Sequence, residues 1–196
     1  MKWALIILLV VLGFFFLLGV SAYGTYNRLI EKQEAVNAQI GQLQNVLQRR
    51  ADLIPNLVNI VKGYAAHEKE TLTAVIEARA SATRPNIRLN ASDPESLQRF
   101  IKAQDQFTSA ISRLMLVSER YPDLKANEQF QRLMDELSGT ENRISVERKR
   151  YNDRAREYNM AVRRFPGAIF ANLFGFDPVP YFEASAEAQT APKIEF

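Results

Sequence analysis

The sequence predicts an all-α protein: an N-terminal transmembrane helix that continues into an up-and-down bundle of three to four long helices. Three observations carry this. The chain opens on an uncharged apolar run, its remainder repeats apolar residues at alternating spacings of three and four, and no segment alternates with period two as a half-buried strand would. Three ranges follow: a transmembrane anchor at 1–25, an antiparallel bundle with a membrane-proximal stalk at 26–165, and an apolar short segment with a mobile tail at 166–196.

From Trp3 to Asn27 there is no charge. A run of about 20 apolar residues matches a hydrocarbon slab of roughly 30 Å, and Trp3 and Tyr23 mark its ends, where amphipathic rings favour headgroups. A cleaved signal peptide is the competing reading. The run exceeds the usual apolar core of such peptides, and bulky Tyr23 makes SAYG a poor cleavage site. The charge bias across the span is nearly neutral, with Lys2 on one side and Arg28 and Lys32 on the other. The expected topology puts the N-terminus inside and the soluble domain outside the cytoplasm.

Beyond the span, Tyr26, Leu29, Gln33, Val36, Ile40, Leu43 and Leu47 follow a heptad pattern. The register continues through Arg50, Ile54, Leu57, Val61, Tyr64, Glu68, Leu72, Val75 and Arg79, so a single helix kinked at Pro55 is expected to run to about residue 81. TRPNIRLNASDP reads as a loop, with Asp93 capping and Pro94 opening a helix that ends at Tyr121-Pro122. A short linker leads to Asn127, the cap of a last helix ending before Pro166. GAIFANLFGF suits a short helix packed on the bundle or touching lipid.

Composition removes several chemistries. The net charge is only +3, from 25 Lys+Arg and 22 Asp+Glu, and the pI is 9.2. The chain has no Cys and one His, which excludes disulfides, thiol nucleophiles, a lipoprotein anchor and multi-His metal sites. A mean hydropathy of -0.20 averages an apolar end with a polar remainder. His67-Glu68-Lys69-Glu70 invites a metal reading, but H-E-x-x-H needs a second His where Thr71 stands. No catalytic, cofactor-binding or metal residue is therefore assigned. The basic last helix carries eight Arg/Lys and three acids between Arg143 and Arg164. They surround the helix at pairing distances, so a solvated face is read first, anionic lipid contact second, and nucleic acid is set aside.

Charges on core positions are more informative. Arg50, Glu68, Arg79, Glu141 and Arg148 all fall in the heptad register. With the first and last long helices parallel, Glu68 would neighbour Arg148, and Glu141 would reach Lys62 or Tyr64, forming a buried layer that sets register. The same geometry leaves the stalk uncovered, and Val36, Ile40, Leu43 and Leu47 are then expected to form the seam of a homo-oligomer, a coiled coil of parallel copies.

Several blocks in order resemble the LemA family: RRADLIPNLV (49–58), VKGYAAHE (61–68), EARA (77–80), YPDLKANEQF (121–130), ELSGTENRI (136–144), RYN (150–152), YN (158–159) and FPGAIFANLFGF (165–176). The resemblance spans nearly everything from Tyr26 to Phe182. It implies a bacterial protein anchored in the inner, cytoplasmic membrane by a single pass, and a helical bundle. It also suggests a membrane partner, such as a protein with a TPM domain, and supplies no catalytic residues. The expected function is a non-catalytic membrane-anchored scaffold or adaptor that self-associates and presents a surface to other membrane proteins. The alternative is a membrane-bound hydrolase using His67, Glu68 and Glu141.

Overall fold

The computed structural model describes residues 2–84, 89 and 93–183. Among them α1 (Lys2–Tyr64), α2 (Lys69–Ala82), α3 (Pro94–Arg120), α4 (Pro122–Lys125), α5 (Glu128–Arg163) and α6 (Gly167–Phe174) are the helices. Most of the loop expected at 83–94, and the tail from residue 184, lie outside the described residues.

α1 spans 63 residues, about 94 Å at the α-helical rise. Its apolar start is exposed and is long and apolar enough to cross a membrane. From Leu29 onward the same helix turns one face inward: Leu29, Val36, Ile40, Leu43, Leu47, Arg50, Ile54, Leu57 and Val61 are buried. The helix continues through Pro55.

The single helix expected to run to residue 81 is two helices. The chain turns at residues 65–68, where Glu68 N–H donates to the Ala65 carbonyl at 3.0 Å, and α2 folds back along α1. Arg79 Nε donates to the Ala51 carbonyl at 2.6 Å, on the opposite arm of this hairpin. Heptad register persists across the turn because both arms face one core. α3 then runs away from the membrane segment again, capped by Asp93, whose carboxylate accepts from Glu95 N–H. It ends where Tyr121 Oη meets Glu68 at 3.3 Å. The linker expected before Asn127 is one helical turn, α4. Asn127 caps α5 by accepting from Phe130 N–H at 2.9 Å.

α5 runs antiparallel to α1, not parallel as expected. Asn127 contacts Tyr64, Arg49 pairs with Glu136, Gln39 with Glu147 and Lys32 with Glu157. Extra helix reversal at 65–68 is the cause, and the bundle is an up-down-up-down set of α1, α2, α3 and α5. The end of α5 therefore lies beside the start of the bundle, near the membrane segment.

There the chain folds twice more. α6 packs on both α1 and α5. Its approach to α5 requires Gly167, because a Cβ there would collide with the Ala161 carbonyl oxygen. Gly175, at φ 75°, ends α6 in the left-handed conformation that glycine adopts without strain. Residues 176–183 then run back along α5 as an extended strap, so the first part of the tail expected to be mobile is packed on the bundle.

The buried apolar residues divide into two clusters. A proximal one joins the stalk of α1 to α5, the first turns of α3, Leu89, α6 and the strap; a distal one fills the four-helix end. Val36, Ile40, Leu43 and Leu47 belong to the proximal cluster. The stripe expected to be the seam between copies is covered by this chain's own α5 and strap, so the length argument for a homo-oligomer through it fails.

Candidate functional site

The boundary between the two cores is a polar layer. Arg50 is 1% exposed, and a buried guanidinium is costly unless its donors are matched; both Nη groups are matched here, while Nε has no partner among the described residues. Its Nη2 donates to Gln104 Oε1. Its Nη1 donates to Glu141 Oε1 at 2.8 Å and to Thr108 Oγ1 at 3.1 Å. The guanidinium also lies 4.9 Å from the centre of the Phe107 ring. One side chain on α1 is thereby tied to α3 and α5 together. Gln104 in turn donates to the Ala82 carbonyl at the end of α2. The layer meets all four helices, and a cleft of about 290 Å³, lined in part by Gln44, Gln48, Thr83 and Arg84, opens beside it.

Not all of the other expected members join this layer. Glu68 sits in the distal turn, where it pairs with Arg120 at 3.1 Å and accepts from Tyr121. Arg148 does not reach it. Arg148 lies over the Phe182 ring at 5.5 Å, and burial lowers its pKa against the opposing pull of Asp105. Arg79 holds α2 to α1 through the Ala51 carbonyl. Glu141 takes Arg50 rather than Lys62 or Tyr64. His67 is exposed beside Glu68, while Glu141 is held at Arg50, about 20 Å down α1 from Tyr64. The fold does not bring His67, Glu68 and Glu141 into one site, so the hydrolase constellation is not assembled. Among the described residues no group of three or more His, Asp and Glu could hold a metal.

A second constellation, missed by sequence reasoning, is the cradle for the strap. Asn159 Nδ2 donates to the Val179 carbonyl and its Oδ1 accepts from Val179 N–H, both at 2.8 Å. Asn152 does the same for Phe182, again at 2.8 Å in each direction. A side-chain amide thus pairs with a main-chain amide as a neighbouring strand would. The two Asn are one heptad apart, about 10.5 Å along a helix. Their partners are three residues apart, about 9.3 Å in the polyproline II form that Pro178 and Pro180 favour. The lengths match, and Phe176, Val179 and Phe182, at the same period of three, are buried. Tyr151 Oη donates to the Pro180 carbonyl at 2.9 Å. Burial, with Tyr181 nearby, pushes the Tyr151 phenol up to about 12. The repeated Tyr-Asn of 151–152 and 158–159 was the available signal.

Each sequence block thus has a contact to make. RRADLIPNLV supplies Arg50 and ELSGTENRI supplies Glu141; the two Tyr-Asn pairs hold the strap; FPGAIFANLFGF forms α6 and its glycine-dependent ends. Together with the exposed apolar start of α1 they define a class, the membrane-anchored up-and-down helical bundle closed by a strap. The LemA family model matches residues 39–196, and the chain belongs to the LemA family. It is similar to magnetosome protein MamQ of Magnetospirillum gryphiswaldense, 25% identical over 182 residues that cover 84% of this chain and 67% of the relative. Magnetosome protein MamQ 1 of Paramagnetospirillum magneticum is 26% identical over the same shares. Protein LemA of Metamycoplasma hominis is 25% identical over 176 residues, 87% of this chain and 77% of the relative.

Proposed function

We propose that this protein is a non-catalytic scaffold or adaptor, anchored by the start of α1 in a bacterial inner membrane, with its bundle outside the cytoplasm. One observation carries the reading: the apolar run and the first bundle helix are a single uninterrupted helix, which α5 grips from Lys32 to Tyr64. Such a continuous helix holds the distal turn at a fixed height above the bilayer. The inward polar groups serve the same end, since buried Arg50 and Asn159 and half-buried Asn152 hold elements together. The surface offered to other membrane proteins, a TPM-domain protein among them, is the distal four-helix end, where Ile76 and Leu116 are exposed.

Purification of the full chain in mild detergent, with mass measurement and identification of bound proteins, tests this. The scaffold reading expects a membrane protein in fixed ratio, lost when Leu116 and Ile76 are changed to Asp while the thermal melt is kept. Stoichiometric bound metal, together with a hydrolytic activity abolished by Glu68→Gln, would overturn it.

A further inference from the structure

The membrane end of the bundle has features that the scaffold reading leaves unused. Both ends of α6 lie near the same short stretch of α1. Gly167 lines a cleft with Thr25, Arg28 and Leu29, while Phe174 lies 5.2 Å from Tyr26, ring centre to ring centre. A helix of eight residues is about 12 Å long, so α6 lies across α1 rather than along it. Its inner face, Gly167 and Ala171, is buried. Its outer face carries Ile169 at 59% exposure and Leu173 at 71%, one turn apart, with Phe165 just before them at 83%. Scattered apolar residues on a surface need no explanation, but Ile169 and Leu173 are aligned on one face of a crosswise helix, and Phe165 stands just before it. The height of that helix is also specific. Thr25 and Arg28 follow Tyr23, the end of the apolar run, by roughly 3–8 Å of helix, and a headgroup layer is about 5–8 Å deep.

The cleft beside α6 measures about 350 Å³. Arg28, Lys32 and Arg164 line it, with Glu157. Lys32 is committed to Glu157 at 2.8 Å, and that pairing holds the Glu157 carboxyl below the usual carboxylate range. Arg28 and Arg164 have no ion pair among the described residues and lie exposed at the rim. The cleft therefore keeps an excess of positive charge where the phosphates of a bilayer would be.

We propose that α6 is an interfacial membrane helix, with Phe165, Ile169 and Leu173 set into the headgroup–acyl boundary, and that the adjoining cleft takes the phosphate of an anionic phospholipid between Arg28 and Arg164. The inference rests on the anchoring reading above. Amphipathic helices lying in the interface bury their apolar face about 5–10 Å into the headgroup–acyl boundary, and continuity with the membrane helix holds α6 at headgroup height. The occupant is a lipid rather than free phosphate because the apolar wall and the arginines form one continuous surface at headgroup height.

The chain has one Trp, so a Trp3→Phe, Leu173→Trp double variant reports from α6 alone. It is placed in discs of equal parts phosphatidylcholine and phosphatidylglycerol. The expected result is a blue-shifted emission quenched by acyl chains brominated near the glycerol. Phosphatidylglycerol should also be enriched among lipids that copurify with the full chain. Arg28→Gln and Arg164→Gln should each cut that enrichment by roughly five-fold, with the melt unchanged. A residue 173 probe quenched by aqueous iodide and not by brominated lipid overturns the proposal, as does a bound-lipid ratio equal to that of the bilayer. Binding of inorganic phosphate in lipid-free detergent that depends on both arginines, and that phosphatidylglycerol does not displace, also overturns it in favour of a free-phosphate site. Alkaline carbonate extraction separates the two readings: release from the membrane defeats anchoring itself, whereas retention with a water-exposed residue 173 defeats only this inference.

Discussion

The distal and proximal halves of the bundle solve the same problem with different parts. Distally, four regular helices bury each other, and the core is mostly aliphatic, with Phe107 and Phe130 among it. Proximally, α2 has ended and α3 contributes only its first turns, so α1 and α5 alone cannot enclose their apolar faces. An extended strap and a crosswise helix complete the enclosure. The distal half needs apolar periodicity and little else. The proximal half needs individual residues: two Asn to satisfy the strap's main chain, a Gly for close approach and another for a left-handed turn. An extended segment buried without sheet partners must have its amides matched by side chains.

The largest expected effect falls on the boundary that both halves share. Glu141→Ala leaves the buried Arg50 guanidinium short of its counter-charge and should cost about 3 kcal/mol. Because Arg50 touches α1, α3 and α5, hydrogen exchange should rise in both halves together. Replacing Arg50 with Met and Glu141 with Leu at once should recover part of the loss, since it removes the buried charge but leaves Gln104 Oε1 without its donor. If exchange rises in one half only, the polar layer is not the hinge between them.

Alkaline pH should separate the halves. The Tyr151 phenol is raised from about 10 to about 12 by burial, so the folded state holds this proton more tightly than the unfolded state. Its contribution is complete below pH 10 and is lost as pH rises toward 12. Tyr158 is raised in the same direction by burial, with Asp177 adding to it. Proximal exchange should therefore rise above pH 10 before distal exchange does. Equal loss in both halves would contradict the local origin.

Asn159→Ala removes two hydrogen bonds and leaves the Val179 amide and carbonyl without partners, at about 2 kcal/mol. Limited proteolysis should then cut within 176–183 while the distal helices stay protected. Gly175→Ala, forced into a left-handed conformation, should cost about 1 kcal/mol and loosen the strap without displacing α6. A change in distal exchange from either variant would mean the halves are more tightly coupled than their separate cores suggest.

The contrast also explains what could be read in the sequence. Leu29, Val36, Ile40, Leu43, Leu47, Ile54, Leu57 and Val61 were legible as a buried face, and Asp93 and Asn127 as caps. The turn at 65–68 was not, because a heptad pattern records which face is buried and not the direction in which the helix runs. That one corner reverses every later helix. It turned α5 antiparallel, moved Glu68 away from Arg148, and filled the stripe that otherwise demanded a second copy. Arg50 and Glu141 were recognisable as buried charges, but their partnership depended on the direction of α5. The strap was hidden because Pro-rich, small-residue sequence usually has no main-chain partners, and here two Asn one heptad apart provide them.

The direction of α5 therefore carries the account, and a distance measurement reads it directly. The natural chain has no Cys, so spin labels go where they are placed. One pair is set at Lys32 and Glu157, a second at Lys32 and Glu128, in full-length protein diluted with unlabelled chains. Antiparallel packing expects the first pair to be short, about 20 Å or less, and the second to be longer by roughly 40 Å, the helical rise from 128 to 157. A short distance from Lys32 to Glu128, with Glu157 far away, would contradict the fold, the strap and the lipid-facing helix together.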